Sequence, residues 1–186
     1  KELKGSDVKV CSVIAFPFGT SSSKIKIEEA KQAIEDGADE IDMVLSVGAF
    51  LSGDYETCAD EIAELKSVCG DHPLKVILET GELKTAELIK KASILSMYAG
   101  ADFIKTSTGK VAVAATPEAA LVMCSAILEY KEQTGRLVGF KAAGGIKTVD
   151  EAIDFYTIVA ETLGEDYIKQ GLFRIGPSRL ANLLAS

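Results

Sequence analysis

Short apolar runs alternate with longer amphipathic stretches along the whole chain. Each run is rich in Val, Ile or Phe and lacks a regular polar alternation, which is typical of strands buried on both faces of a parallel sheet. The stretches between the runs repeat apolar residues at helical spacing, so the pattern predicts successive β/α units. The six predicted strands are residues 8–16, 40–47, 74–79, 103–106, 137–141 and 172–175.

The predicted helices carry start and stop signals. Thr85 and Thr116 are each expected to cap a helix, and Pro117 occupies the first helical position after Thr116. The segment 148–151, Thr-Val-Asp-Glu, fits a capping box, and Gly164 is expected to end the helix that it opens. Strands and helices together predict one domain over residues 1–186, a (β/α)8 TIM barrel of which about six of the eight units are present.

Composition and charge exclude several classes of function. The chain has 186 residues, 28 of them acidic and 20 basic, and a net charge of −8. It contains no run near the roughly 20 apolar residues of a membrane span. The acidic balance disfavours nucleic acid as a partner, because neutralising phosphates requires clustered Lys and Arg. We therefore expect a soluble, cytoplasmic protein that binds small molecules, with neither nucleic acid nor membrane as partner.

The sulfur and imidazole side chains do not indicate a metal site. The chain has four cysteines and one histidine, namely Cys11, Cys58, Cys69, Cys124 and His72. They form no Cys-x-x-Cys pair, which disfavours zinc and a Cys–His nucleophilic pair. Cys58 and Cys69 fall at helical spacing with Ile62 and Leu65, so they are expected to be buried on one helix face. His72 is expected in a loop, and free thiols suit a reducing cytosol.

Three charged residues interrupt predicted strands that are otherwise apolar: Asp42, Lys105 and Lys141. Each alone could be a strand-end charge that faces solvent or completes a salt bridge. Together they favour a site, because charged side chains are rarely buried unpaired and the carboxyl ends of barrel strands form the active face. A repeated Gly-Ala-Asp turn precedes both Asp42 and Lys105 at equal distance, which predicts equal heights in their strands.

Two lysines beside an aspartate favour imine chemistry. A lysine attacks a carbonyl only as the neutral amine, and burial near a second cation lowers its pKa towards that state. The later proton transfers need a positioned acid and base, a role that suits Asp42, either directly or through water. The sequence shows neither a metal cluster nor a cofactor fingerprint, so we expect no cofactor and no metal.

Glycines after the predicted strands suggest a phosphate site. Backbone N–H groups at such turns and at helix N-termini bind phosphate, and the loops after the last two strands of a barrel often do so. Lone glycines usually mark ordinary turns, so each position alone is weak support. The candidate phosphate residues are Gly109, Lys110, Gly144, Gly145, Gly176 and Ser178.

These residues resemble the deoxyribose-phosphate aldolases, and the similarity extends through nearly the whole chain. The motifs that carry it lie at residues 16–19, 40–44, 79–83, 103–113, 139–148 and 174–176. The stretch Phe-Ile-Lys-Thr-Ser-Thr-Gly-Lys at 103–110 is the most specific of them. The resemblance implies a class I lyase that splits 2-deoxy-D-ribose 5-phosphate into acetaldehyde and D-glyceraldehyde 3-phosphate in deoxyribonucleotide catabolism.

The resemblance also implies residue roles. Lys105 would form the Schiff base, Lys141 would perturb it and assist proton transfer, and Asp42 would act with water as acid and base. The family's phosphate groove maps onto the six candidate phosphate residues. The chain departs from the family pattern at Ala142, where proline is common and a looser turn is expected, and at Pro177 and Arg179 in the terminal phosphate loop.

Other functions and a longer protein are compatible with the same pattern. A non-catalytic phosphate-binding barrel fragment would retain these residues without turnover. A sugar-phosphate isomerase would rely on carboxylate or imidazole proton transfer, and two strand lysines without a strand histidine disfavour it. Because a TIM barrel typically needs about 250 residues, we expect two further β/α units before Lys1. A homodimer through helix faces is compatible with the sequence, although no motif specifies it.

Overall fold

The computed structural model describes residue 3 and residues 5–177 of the chain. Six parallel strands pair in sequence order, each with the next, in one sheet. The strands are β1 (Cys11–Ile14), β2 (Glu40–Val44), β3 (Leu74–Ile77), β4 (Phe103–Lys105), β5 (Gly139–Ala143) and β6 (Phe173–Gly176). Side chains on β2 touch side chains on β5 and β6, so the sheet curls into a partial barrel.

Helices connect the strands and cover the outer face of the sheet. They are α1 (Ser23–Glu35), α2 (Val47–Leu51), α3 (Tyr55–Cys69), α4 (Thr80–Leu83), α5 (Ala86–Tyr98), α6 (Pro117–Thr134), α7 (Val149–Leu163) and α8 (Glu165–Lys169). Within the described part of the chain, none of these helices combines the length and the apolar character needed to cross a membrane.

The predicted helix signals are confirmed. The Thr85 side chain accepts the N–H of Leu88, and the Thr116 side chain caps α6 in the same way. At the start of α7, Thr148 and Glu151 exchange both bonds of the capping box, and Gly164 ends the helix. Side-chain caps of this kind satisfy N–H groups that have no partner inside the helix.

The predicted strands exist in the predicted order, but their bounds differ. β1 is shorter than residues 8–16 and stops before Ala15, whose φ of 51° leaves the extended region. The run predicted to reach residue 47 ends at Val44, and α2 begins at Val47. Ala142 was expected in a turn after the strand, and this expectation is wrong. It is buried within β5, in register with Ile175, so no turn is loosened there.

The apolar core lies between the sheet and the helices. Alternate strand residues, such as Ile41, Met43, Val76 and Phe140, are fully buried against the helix layer. Cys58 and Cys69 of α3 belong to this core, as their helical spacing predicts. The alternate residues between them include a set of charged side chains that contact one another on the concave side of the sheet, namely Glu40, Asp42, Lys75, Lys105, Lys141 and Arg174.

The stagger of barrel strands decides which inward side chains meet. In an eight-stranded barrel of shear eight, neighbouring strands are offset by about one residue, so one height is shared by alternate strands. Asp42 pairs in register with Lys75, and Lys75 pairs with Phe103. Lys105 lies two residues beyond Phe103, and the offset over two strands brings it level with Asp42. This agrees with the equal heights predicted from the repeated turn.

Candidate active site

The three predicted catalytic side chains meet on the concave side of the sheet. Lys105 Nζ donates to Asp42 Oδ2 over 2.7 Å, and Lys141 Nζ donates to the same oxygen over 2.8 Å. Asp42 is almost fully buried, and both lysines keep only a small exposed fraction. Two amines therefore share one carboxylate oxygen at the mouth of the barrel.

Sequence reasoning missed a third lysine at this carboxylate. Lys75 Nζ donates to Asp42 Oδ1 over 2.9 Å and lies 2.6 Å from Glu40 Oε2, and its side chain is 1% exposed. Lys75 interrupts the apolar run at 74–79 in the same way as Asp42 interrupts its own strand. That interruption was the signal that could have identified it.

A second ionic level lies beneath Asp42. Arg174 on β6 reaches Glu40 on β2 over 3.4 Å, and its guanidinium lies 5.4 Å from the centre of the Phe103 ring. Cys11 on β1 places its Sγ 3.1 Å from Asp42 Oδ1, where the thiol can donate. Buried charges require partners of this kind, since an unpaired ion in the interior is strongly unfavourable.

The ionic environment shifts the pKa of the central groups in opposite directions. Burial would raise the pKa of Asp42, but the ammonium groups of Lys105, Lys75 and Lys141 outweigh it and hold the carboxyl well below its usual range. Burial lowers the pKa of Lys105, and the nearby Lys141 cation adds to this effect against the attraction of Asp42. Opposite charges at close range and burial are the two physical causes.

Lys75 behaves differently from Lys105. Burial alone would lower the pKa of Lys75, but Asp42 and the hydrogen bond to Glu40 reverse the effect and raise it. Lys75 thus has two carboxylate partners, whereas Lys105 shares one carboxylate with two other amines. Among these lysines, Lys105 is the one whose surroundings favour the neutral amine.

Two glycine loops meet above the lysines. Gly144 has a φ of 90°, and a Cβ added to it would lie 2.9 Å from the Cα of Gly109 and 2.8 Å from Ser107 Oγ. Only glycine allows this approach of the loops after β4 and β5. Ser107 and Thr106 donate their hydroxyls to the carbonyl oxygen of Ala143, which fastens the two loops together.

The other predicted phosphate residues lie around the same rim or outside the described part. Gly145 and Lys110 are exposed beside Gly144 and Gly109 respectively. Gly176 ends β6, and a Cβ added there would lie 3.3 Å from Lys141 Cε. Ser178 and Arg179 lie outside the described residues, whose last member is Pro177.

Other parts of the described chain do not offer a competing centre. Within residues 5–177, no three His, Cys, Asp or Glu side chains are grouped to hold a metal ion. A cavity of about 310 Å³ lies among α4, α5, α6 and the loop before α6, and is lined mainly by Ala, Val and Ile with Thr80 and Lys84. It contains none of the charged side chains of the concave side. His72 sits in the loop before β3, with Nδ1 3.1 Å from the carbonyl oxygen of Asp39.

The family model and the curated relatives indicate the same family. A family model described as DeoC/LacD family aldolase matches residues 1–173. Human deoxyribose-phosphate aldolase is 46% identical over 177 residues, which are 95% of this chain and 56% of the human protein. The mouse deoxyribose-phosphate aldolase is 45% identical over the same shares. The chain spans about half the length of these curated relatives.

A solved structure gives the same assignment. Deoxyribose phosphate aldolase from Aeropyrum pernix, whose structure is described as tetrameric, matches with a TM-score of 0.71 and 30% identity. The match covers 84% of this chain and 63% of that one. The resemblance drawn from the sequence motifs is thereby confirmed. Because the family model covers nearly the whole sequence, the chain belongs to the DeoC/LacD family of aldolases.

Proposed function

We propose that the chain catalyses the reversible cleavage of 2-deoxy-D-ribose 5-phosphate to D-glyceraldehyde 3-phosphate and acetaldehyde, with Lys105 as the Schiff-base residue. The observation that carries this proposal is the convergence of Lys105 and Lys141 on one oxygen of Asp42, at 2.7 and 2.8 Å. A buried amine next to a second cation is the arrangement that favours a nucleophilic lysine.

Imine formation uses the neutral form of Lys105. Its Nζ attacks the aldehyde carbon C1 of the open-chain sugar, and the resulting carbinolamine loses water to give a protonated imine. The Lys141 ammonium supplies the neighbouring positive charge and a proton for the departing hydroxyl. The protonated imine then carries the positive charge that Lys141 gives up with its proton, so the net charge of the site is retained.

Carbon–carbon cleavage draws electrons into that imine. The C3 hydroxyl gives up its proton, the C2–C3 bond breaks, and its electron pair forms an enamine on Lys105 while C3 becomes the aldehyde of glyceraldehyde 3-phosphate. Asp42 is the proposed base and acts through water, and the three neighbouring lysines favour its ionised form. Protonation of the enamine at C2 and hydrolysis then release acetaldehyde and the Lys105 amine.

The glycine loops are the proposed binding site of the 5-phosphate. Gly109, Gly144 and Gly145 present backbone at the rim, where N–H groups suit phosphate oxygens, and the exposed Lys110 adds a positive charge. Gly176 and Ser178 complete the proposed set from the end of β6. The chain as a whole is acidic, so attraction of the phosphate depends on these local groups and the lysines.

Turnover of 2-deoxyribose 5-phosphate tests the proposal. We expect the chain to release acetaldehyde and glyceraldehyde 3-phosphate, and we expect Lys105→Ala to release neither. A chain that binds the substrate and cleaves nothing would identify a non-catalytic phosphate-binding fragment. Formation of an isomeric sugar phosphate without cleavage would identify an isomerase. Cytoplasmic location, homodimer formation and a role in deoxyribonucleotide catabolism stay predictions.

A further inference from the structure

Glu79 lies at the carboxyl edge of the sheet, near Lys105, and its hydrogen bonds go to Thr108. It stands two residues after β3 and is 4% exposed. Both oxygens of its carboxylate accept from one residue in the next loop. Oε1 accepts the backbone N–H of Thr108 over 3.2 Å, and Oε2 accepts the Thr108 hydroxyl over 2.5 Å.

The contact extends to the residues on both sides of Gly109. Thr108 Oγ1 also accepts the backbone N–H of Lys110 over 3.1 Å. Glu79 therefore holds Thr108 directly and Lys110 through the Thr108 hydroxyl. Gly109 lies between them with a φ of 76° and approaches Gly144 of the neighbouring loop. The Glu79 side chain, just after β3, therefore orients the turn that contains two of the proposed phosphate residues, Gly109 and Lys110.

The backbone conformation of Glu79 indicates that a glutamate side chain is needed at this position. Its φ of 56° and ψ of 59° are left-handed, a conformation that residues with a Cβ rarely adopt and that glycine adopts freely. Such strained residues occur mainly at functional sites. Burial also raises the pKa of Glu79, while the hydrogen bonds from Thr108 oppose that rise and stabilise its ionised form.

The loop has a second, independent attachment. Thr106 and Ser107 donate to Ala143 O, so the start of the loop remains tied to β5 whatever occupies position 79. Lys105 belongs to β4 itself and bonds to Asp42. Loss of the Glu79 contact should therefore release the turn at 108–110 and leave the imine-forming amine in place.

We propose that Glu79 is a positioning residue that orients the turn Thr108–Gly109–Lys110 for the phosphate of the substrate. This inference rests on the proposed function and adds a specificity determinant to it. Glu79 acts through Thr108 and does not touch the reacting carbons. Its contribution should therefore show in the preference for 2-deoxyribose 5-phosphate over unphosphorylated 2-deoxyribose.

The test compares Glu79→Leu, Glu79→Gln and Thr108→Val, with Glu82→Gln as a matched control from the exposed side of α4. We expect Glu79→Leu to raise KM for the phosphorylated sugar about tenfold, on the scale of lost ground-state binding, and to leave kcat/KM for 2-deoxyribose nearly unchanged. Glu79→Gln, which keeps one acceptor oxygen, should fall between Glu79→Leu and the parent chain. Glu82→Gln should match the parent.

A double-mutant cycle isolates the contact. If Glu79 acts through Thr108, the double variant should be no worse than Glu79→Leu alone, which already loses both bonds to Thr108. Equal losses on both sugars, or fully additive losses, would overturn the inference and indicate a general structural role. If Glu79→Leu does not fold, Thr108→Val reports on the same turn, and unchanged phosphate preference in that variant would overturn the inference too.

Titration with inorganic phosphate separates this inference from the proposed function. The measurement is calorimetric and does not depend on turnover. If the parent chain cleaves no sugar but Glu79→Leu binds phosphate about tenfold more weakly, the proposed function fails and the role of Glu79 stands. If the parent cleaves the sugar and the two chains bind phosphate equally, the role of Glu79 fails alone. Absence of phosphate binding to the parent chain would overturn it as well.

Discussion

Two buried ionic sites in this molecule differ in the ratio of cations to carboxylates. Between α1 and α3, Lys26 Nζ lies 2.5 Å from Glu61 Oε1, and Lys26 is fully buried. Ser46 and Ser23 donate their hydroxyls to the same carboxylate, and Lys26 also donates to Ser46 Oγ. One cation meets one anion here, and hydroxyl groups fill much of the remaining hydrogen-bonding capacity.

On the concave side of the sheet, cations outnumber carboxylates. Lys75, Lys105 and Lys141 all contact Asp42. Among the described residues, the one other carboxylate that pairs with these lysines is Glu40, and Glu40 also pairs with Arg174. The balanced pair joins two helices, α1 and α3. An excess of buried cations instead favours release of a proton from an amine, and burial together with the Lys141 cation lowers the pKa of Lys105. The difference separates a structural ion pair from a site suited to nucleophilic chemistry.

The largest expected effect is on turnover when the cluster with excess cations loses its proposed nucleophile, Lys105. Lys105→Met should lower kcat/KM for sugar cleavage by on the order of 10⁴-fold or more, the scale seen when a nucleophile is removed. The free energy of unfolding should stay the same or rise, because Asp42 keeps Lys75 and Lys141 as partners. Steady-state kinetics and urea unfolding check the two parts. Retention of a tenth of the activity would show that Lys105 is not the nucleophile.

The balanced pair should show the reverse pattern. Lys26→Met leaves the buried Glu61 carboxylate without its cation, so the free energy of unfolding should fall by about 3–5 kcal/mol. The kcat of the folded protein should be unchanged, because the pair lies between α1 and α3 and not on the concave side of the sheet. Urea unfolding and kinetics at low temperature measure these effects.

Lys31→Met supplies the control for Lys26→Met. Lys31 makes an ion pair of 2.9 Å with Glu28, and both side chains are at least half exposed. Its loss should cost about 0–1 kcal/mol, as for other surface pairs. If Lys26→Met and Lys31→Met lowered the free energy of unfolding by similar amounts, the buried pair would contribute no more than a surface pair. That result would contradict the structural role given to Lys26 and Glu61.

The pH dependence of catalysis tests the role of the second cation. Only the neutral amine of Lys105 reacts, so kcat/KM should fall as pH drops through its lowered pKa. Lys141→Met removes a charge that lowers this pKa, so the acid limb of the profile should move to higher pH. Lys141→Arg keeps the charge, and its limb should stay in place even if the plateau drops. An acid limb that does not move in Lys141→Met would contradict the charge argument.

The smallest effect is expected at Cys11. Its thiol lies 3.1 Å from Asp42 Oδ1, which also accepts from Lys75, so Cys11→Ala leaves the carboxylate with an ionic partner on that oxygen. A thiol is a weak hydrogen-bond donor, so kcat/KM should change by roughly threefold or less. A fall of more than tenfold would make the thiol a functional member of the cluster.

Much of the fold follows from local sequence signals. Six apolar runs and the Thr caps of α5, α6 and α7 predicted the elements and their order, because burial on both faces and helix capping leave marks in a few consecutive residues. Asp42, Lys105 and Lys141 were found because each charge interrupts an apolar strand.

The missed residues depend on contacts between distant segments. Lys75 sits second in its strand, where a lysine often faces solvent, and only the register of β2 with β3 turns it towards Asp42. Lys26 and Glu61 meet through the packing of α1 on α3, which no local pattern specifies. Glu79 adopts a left-handed backbone at the end of β3, and a glutamate carries no signal for that conformation.

Reductive trapping tests the central claim most directly. The chain is treated with acetaldehyde and borohydride, and the modified peptide is identified by mass spectrometry. Lys75 and Lys141 serve as internal comparisons, because they contact the same carboxylate as Lys105. The account predicts one reduced two-carbon adduct, on Lys105. An adduct on Lys75 or Lys141 instead, or no adduct, would contradict it.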